Sequence, residues 1–242
     1  SLNLIDMALR PGEILGIAGI EGNGQKTMVR AIADLAELVS GKITLTGQDV
    51  SGQSLAVRRA LGLRIIPFER NIEGLSLTSS LWENWSARAL LQGPLLKFVN
   101  PAAIRKMCDT VLNNWSLHYY SSNQMAGSLS GGNAQKLILA REVDQGAKVI
   151  IAAQPTRGLD IGATAFVWHS LRAARDRGAA ILFISSDLDE LFDISDRVLV
   201  MLSGQIVREF IPPYKLSSIG AAMTGIEADK VPIAQAEMEA SV

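Results

Sequence analysis

The stretch that most restricts how this chain can fold runs from Glu13 to Val39. There the apolar run EILGIA meets the glycine-rich turn GIEGNGQKT and then the helix-spaced run MVRAIADLAELV. A short apolar run bounded by turn signals reads as a buried strand, and strand, glycine turn and helix in this order form a phosphate-loop arrangement. Gly19 and Gly24 stand at the spacing of GxxxxGK[ST], but Gln25 occupies the lysine position and Lys26 the hydroxyl position. Such a loop uses its lysine to neutralise outer phosphates and its hydroxyl to hold magnesium. Lys26 and Thr27 lie one residue further on, turned by about 100 degrees around the helix, so only the flexible stem of Lys26 can bring its ammonium back. Gly19, Gly22, Asn23, Gly24, Gln25, Lys26 and Thr27 are the candidate residues here, because backbone N–H groups can cradle an anion even where side chains are displaced. A glycine turn that holds no nucleotide is the competing reading.

A second glycine-rich helix start lies at Leu129 to Lys136, LSGGNAQK, ahead of the run AQKLILAREV. Ser130 can cap that helix, and Gly131 and Gly132 leave the N–H groups at its positive end uncovered, which suits a phosphate. Alone, this is an ordinary capped helix. With Asn133 and Gln135 it resembles the signature of ABC-type ATPases, in the LSGGN spelling of the simple-sugar and nucleoside importers. The resemblance extends over about the first nine-tenths of the chain, through several motifs in fixed order. IPFERNIEGL resembles the segment after the Q-loop strand of second nucleotide-binding domains, with Phe68 at the position of the polar residue that reaches toward magnesium and the attacking water. A phenyl ring can do neither. KVIIAAQPTRGLD places Ala153 and Gln154 where the family has the magnesium-orienting aspartate and the catalytic glutamate, and the switch histidine falls on Ser186. Alanine coordinates nothing, a neutral amide takes no proton, and a hydroxyl brings no titratable positive charge. PTRGLD matches the D-loop, with Asp160 at the position that contacts the opposite subunit.

The resemblance implies an ABC-type nucleotide-binding domain of the P-loop NTPase class: an α/β fold with a mainly parallel sheet, an inserted helical lobe and a small antiparallel region. The expected division is a RecA-like core over 1–74 and 127–224, a helical subdomain over 75–126 and a mobile tail over 225–242. The lobe is expected from the helical spacing of LWENWSARALL and PAAIRKMCDTVLNNW, with Pro94 among its breaks. Trp82, Trp85 and Trp115 suit packing within it. Glu69, Arg70 and Glu73 read as a solvated loop or permease-facing contacts. Ala165 to Arg177 reads as a helix, and Arg197 to Met201 with Gln205 to Phe210 as a closing hairpin.

As function, the resemblance implies the energy-coupling domain of an importer for simple sugars or nucleosides, in its second, degenerate copy. ATP and Mg2+ are then held mainly at a partner nucleotide-binding domain, the N-terminal half of the same subunit, whose site Ser130, Gly131, Gly132, Asn133 and Gln135 complete in trans. No residue acts as a competent catalytic group or metal ligand in the chain's own site, so this half alone is expected to be weak or non-hydrolytic as an ATPase. A transmembrane permease, and through it an extracytoplasmic solute-binding protein, are the further partners, which places the chain peripherally on the cytoplasmic face of the membrane. Two alternatives stand beside this. One is a competent ATPase rebuilt on Lys26 and Thr27. The other is a nucleic-acid-linked ABC protein.

Composition bears on these choices. A net charge of -1 gives no field for a phosphate backbone, which counts against nucleic acid. An apolar content of 48% and a charged content of 19% across 242 residues describe a chain with a sizeable core. Cys108 is the single cysteine, so no internal disulfide forms and a reducing compartment fits. No apolar run approaches the ~18 residues of a membrane helix. His118 has no partner at metal-ligand spacing, and His169 lies mid-helix. The opening SLNLIDMALRPGE has no signal-peptide pattern, and its start without methionine suggests a cut from something longer. Family domains begin with extra strands carrying an adenine-stacking aromatic, and only a short stretch precedes the first strand here.

Overall fold

A computed structural model of the chain describes Leu2, residues 5–91 and residues 100–226. The first strand, β1 (Ile14–Ala18), is buried along its whole length, with Ile14 and Ala18 facing one buried cluster and Leu15 and Ile17 the other. Alternation of that kind, apolar on both faces, is what a strand covered by helices on each side requires. Gly16 sits between them because a Cβ there would lie 2.4 Å from Ser195 Oγ.

Around β1 the sheet assembles in the order β4-β5-β6-β1-β7-β8, with β4 at Leu63–Ile66, β5 at Val149–Ala153, β6 at Ala180–Ile184, β7 at Arg197–Leu202 and β8 at Gln205–Phe210. All neighbours pair in parallel except β7 and β8, which form the expected antiparallel hairpin. A separate antiparallel ribbon joins β2 (Thr44–Leu45) to β3 (Gln48–Asp49). The connections are α1 (Gln25–Ile32), α2 (Leu55–Ala60), α3 (Leu81–Leu91), α4 (Pro101–Asn114), α5 (Gly131–Glu142), α6 (Ile161–Asp176) and α7 (Leu188–Ile194), with α8 (Leu216–Thr224) after the hairpin.

Two helix ends differ from the spacing-based expectation. The helix expected to run to Val39 stops at Ile32, because Asp34 turns left-handed at φ 57 and the Leu35 N–H reaches back to Arg30 O at 2.7 Å. That bond is the helix-closing pattern in which glycine usually takes the left-handed position. Arg58, 1% exposed, completes the closure by donating to Ala31 O and Ile32 O, both at 2.7 Å. At α6 the helix begins at Ile161, ahead of the expected Ala165. Asp160 caps it, accepting the Ala163 N–H at 2.7 Å, and a capped turn can recruit residues of weak helix preference.

The helical lobe shares its core with the sheet. Leu81, Cys108, Leu112 and Leu117 belong to the same buried cluster as Ile14, Ile150 and the inner face of α5, and Trp82, Trp85 and Trp115 pack against it. Burial pushes the Cys108 thiol up to about 12, so it is an inert packing group. The two ends of the lobe are stitched together by backbone bonds from Leu81 N to Gln124 O, Ala126 N to Ser79 O and Gly127 N to Leu77 O. Asp144, just beyond α5, pairs with Arg64 of β4 at 3.2 Å and with Arg88 of α3, tying lobe to sheet. Pro94 lies outside the described residues, as does the tail beyond Ile226. No helix among the described residues is long and apolar enough to cross a membrane.

Candidate functional site

Parallel strands leave their loops at one edge, and in sheets of this kind ligands meet the carboxyl ends of the strands. Four of the singled-out positions follow such ends within two residues: Gly19 after β1, Phe68 after β4, Gln154 after β5 and Ser186 after β6. The edge thus brings together residues that are far apart in sequence. Gln154 takes a left-handed conformation at φ 51, anchored by its N–H to Ile184 O at 2.8 Å, and Ser186 Oγ lies 3.4 Å from Gln154 Oε1. Ala153 is fully buried and presents a methyl group. Phe68 packs against the cluster under α1. Behind Ser186, the buried Glu190 accepts from Ser185 Oγ at 2.6 Å and from Trp168 Nε1 at 2.8 Å, which holds the loop from inside.

The phosphate-loop segment is filled from within. Gln25, 6% exposed, folds back so that Nε2 donates to Ile20 O at 3.3 Å, and a Cβ on Gly19 would meet that same nitrogen at 2.5 Å. Ile20 O also accepts the Asn23 N–H at 3.1 Å. Asn23 faces away from the loop: its Oδ1 accepts the Ser203 N–H at 3.0 Å and its carbonyl accepts the Gly204 N–H at 2.9 Å. Gly24 needs its glycine, since φ is 111 and a Cβ would press on Leu2, Met201 and Gly204. Gly22 (φ 97) is open, and Thr27 is exposed. Lys26 does not turn back into the loop. Its Nζ pairs with Glu73 Oε1 at 3.2 Å.

That ion pair and those beside it add local partners to Glu69, Arg70 and Glu73, the residues read as a solvated loop or permease-facing contacts: the side chains of Glu69 and Glu73 stay partly open to solvent, at 46% and 34% exposure. All three residues sit on or beside a π-helical turn, Arg70–Gly74, which the Lys26–Glu73 pair ties to α1. Arg157 reaches Glu69 at 3.7 Å and Glu21 at 3.8 Å, and Arg70 Nη1 donates to Arg157 O at 2.7 Å. The signal was present as opposite charges on three loops. Nothing in the sequence told which loops would meet.

The signature helix start is built differently. Ser130, at the exposed N-cap, accepts from Asn133 Nδ2 at 3.0 Å and from Asn133 N at 3.4 Å. The amides of Gly131 and Gly132 belong to the first turn, which a helix cannot satisfy internally. Asn133 is an internal brace: its Oδ1 accepts the His118 N–H at 3.0 Å, and Lys136 Nζ donates to Ser116 O at 2.7 Å. Gln135 does not share the exposed front; it is 2% exposed, behind the first turn, and its Nε2 has no hydrogen-bond partner. Counting it among residues offered to a nucleotide is therefore corrected. Beside Ser130 opens a cleft of about 750 Å³, lined among others by Asp109, His118, Tyr119, Gln124 and Asn133. Burial and the bond to Asp109 push the Tyr119 hydroxyl up to about 12, so it stays a donor there.

The order of these loops along one sheet edge is that of a known family, whose pattern, described as ABC transporter, matches residues 2–157. The chain belongs to the ABC transporter family. It is 37% identical over 204 residues to a nucleoside import ATP-binding protein, NupA, of Lactococcus lactis, covering 84% of this chain and 40% of that protein. It is 35% identical over 234 residues to a guanosine import ATP-binding protein, NupO, of Bacillus subtilis, covering 93% of this chain and 46% of that one. This ABC chain thus spans less than half the length of these curated relatives. Its fold is that of a dimeric structure of the ATP-binding cassette MJ0796 in a post-hydrolysis state with ADP and Pi, at a TM-score of 0.74 and 19% identity, over 88% of this chain and 91% of that one. At that identity the likeness is one of fold alone. ABC ATPase domains bind ATP, typically with Mg2+.

Proposed function

We propose that this ABC domain is the second, degenerate nucleotide-binding half of an importer ATPase subunit for simple sugars or nucleosides, with core 1–74 and 127–224 and a helical lobe over 75–126. The relatives named above are import proteins for such solutes. One observation carries the reading: the chain's two glycine-rich helix starts differ in access. The phosphate loop is occupied by Gln25, while the Ser130 end of α5 is exposed.

The residues of the chain's own site do not fit a Mg-nucleotide. Lys26 is paired with Glu73, Ala153 and Gln154 offer no carboxylate, and no group of three or more His, Cys, Asp or Glu among the described residues could hold a metal ion. These facts count equally against a competent ATPase rebuilt on Lys26 and Thr27. The work of this half lies in trans: Ser130 and the first-turn amides of α5 meet the terminal phosphate of a nucleotide held by the N-terminal half of the subunit. Asp160 and the D-loop lie against that partner, and a permease binds alongside. The domain then sits peripherally at the cytoplasmic face of the membrane, coupled through the permease to a solute-binding protein.

The test is Ser130→Arg in the assembled transporter. Removing a donor to a developing charge and crowding it with a side chain should lower ATP turnover by about a hundredfold or more. Near-normal turnover would refute the trans role.

A further inference from the structure

Arg70 touches both surfaces that this reading offers to the partner. Nη1 donates to Arg157 O in the D-loop at 2.7 Å. Nη2 lies against the start of α5, where a Cβ on Gly131 would come within 3.1 Å of it, and beside Gly158 of the D-loop, where a Cβ would come within 3.7 Å. At Gly131 the missing Cβ makes room for the guanidinium, whereas a Cβ at Gly158 would only touch it at ordinary contact distance. Gly158 belongs to this junction through its conformation, φ 68, rather than through lack of space.

Charge does not explain why the guanidinium is there. A cation at a helix N-terminus opposes the helix dipole. The nearby carboxylates are committed elsewhere, Glu73 to Lys26 and Glu69 and Glu21 to Arg157, and no carboxylate pairs with Arg70 among the described residues. Its Nε is buried without a hydrogen-bond partner. What remains is geometry: a rigid fork wedged between two loops, a task that a lysine on a flexible stem performs poorly.

We propose that Arg70 is a positioning residue for the trans reaction, the latch that fixes the D-loop against the signature helix start so that both reach the partner domain in one register. The proposal rests on the trans role of Ser130. Arg70 sits at the head of the π-helical turn that carries Ile72, which is 81% exposed, so the same latch joins that turn to the two partner-facing loops. The partner's nucleotide is held by the partner's own loop before the two halves close. Loosening the latch therefore leaves nucleotide capture intact and harms the closed arrangement in which turnover occurs.

In the assembled transporter, Arg70→Gln should lower kcat by about tenfold to a hundredfold, the scale of a reacting group misplaced by about 1 Å. KM for ATP and the thermal midpoint should stay within twofold and about 2 °C of the parent respectively. Arg70→Lys, which keeps the charge and the reach that glutamine lacks, should recover part of kcat. Unchanged kcat in Arg70→Gln, beside abolished turnover in Ser130→Arg, would overturn the latch alone. A kcat loss matched by a lowered thermal midpoint in both Arg70 variants would reduce Arg70 to a structural residue and overturn it as well. Intact turnover in Ser130→Arg would instead remove the trans reading on which the latch stands.

Discussion

The starts of α1 and α5 are the same device at the level of sequence, a glycine-rich turn ahead of a helix, and they end in opposite states. At α1 the N-cap is Gly24, with no side-chain cap bond, and the space beside Gly19 is taken by Gln25. At α5 the N-cap is Ser130, its hydroxyl is braced by Asn133, and the turn faces outward. A helix N-terminus attracts an anion only where its amides meet open space. Glycine provides the backbone freedom for that, and the neighbouring side chains decide whether the space is left open.

The largest expected effect breaks the comparison if it fails. An arginine at position 130 should remove turnover by about a hundredfold, as set out above. A comparable intrusion at the α1 end, Gln25→Arg, should change turnover by less than about threefold, because the proposed trans role routes no step through that loop. ATPase assays of both variants in the assembled transporter decide it; equal losses would mean that the two ends are not functionally different.

A second prediction asks what the α1 side contributes if it contributes no chemistry. Arg58 donates from its buried guanidinium to Ala31 O, Ile32 O, Ser51 O and Gln53 O, closing the C-terminal end of the phosphate-loop helix. Arg58→Met should cost about 2–3 kcal/mol of unfolding free energy, the scale of hydrogen bonds to a charged group, leaving several buried carbonyls unpaired. Urea unfolding measures the loss. Turnover per folded molecule should hold, which separates a structural end from a reacting one.

The sheet core and the order of its motifs were legible because buried parallel strands are continuous apolar runs: EILGIA, VIIAA and AILFI need no context to be read. The proposed mismatches at Gln25, Phe68, Ala153, Gln154 and Ser186 come from the same kind of reading, each a departure from the resembling pattern at a fixed spacing. What those side chains do instead was not legible. Lys26 finding Glu73, or Arg70 finding Arg157 across 87 positions, depends on which loops the sheet order places side by side. Gln135 was misread because the helix phase of a short motif does not tell which of its polar residues face the core. The stop of α1 at Ile32 escaped for a different reason, since Asp34 in a left-handed conformation lacks the glycine that signals a helix end.

A third prediction sharpens the contrast by trying to reopen the loop. Calorimetry of this chain with Mg-ATP should show no binding at micromolar nucleotide, and Lys26→Ala should not alter that, since the ammonium is already neutralised by Glu73. The double variant Gln25→Lys with Glu73→Gln removes the plug and the competing carboxylate together. It should bind Mg-ATP weakly, in the range of about 0.1–1 mM, because the amides of the loop regain a cation beside them while Ala153 and Gln154 still offer no carboxylate. Tight binding by the parent chain, lost in Lys26→Ala, would show that the lysine leaves Glu73 for the phosphates, and the comparison would collapse.

The smallest effect is expected at Gln154. Its amide meets Ser186 Oγ at 3.4 Å, a long contact between two neutral groups, and neither group can take a proton from an attacking water or carry a charge toward a phosphate. Gln154→Ala deletes one weak hydrogen bond at a half-buried position, and it relieves nothing in the backbone, because alanine at φ 51 is no easier than glutamine. Turnover in the assembled transporter should therefore fall by less than about twofold, within the scatter of a change that touches no reacting group. A loss of about a hundredfold would be the size of a missing general base. It would place chemistry at the end of β5 after all, and α1 and α5 would then be two working ends of one domain.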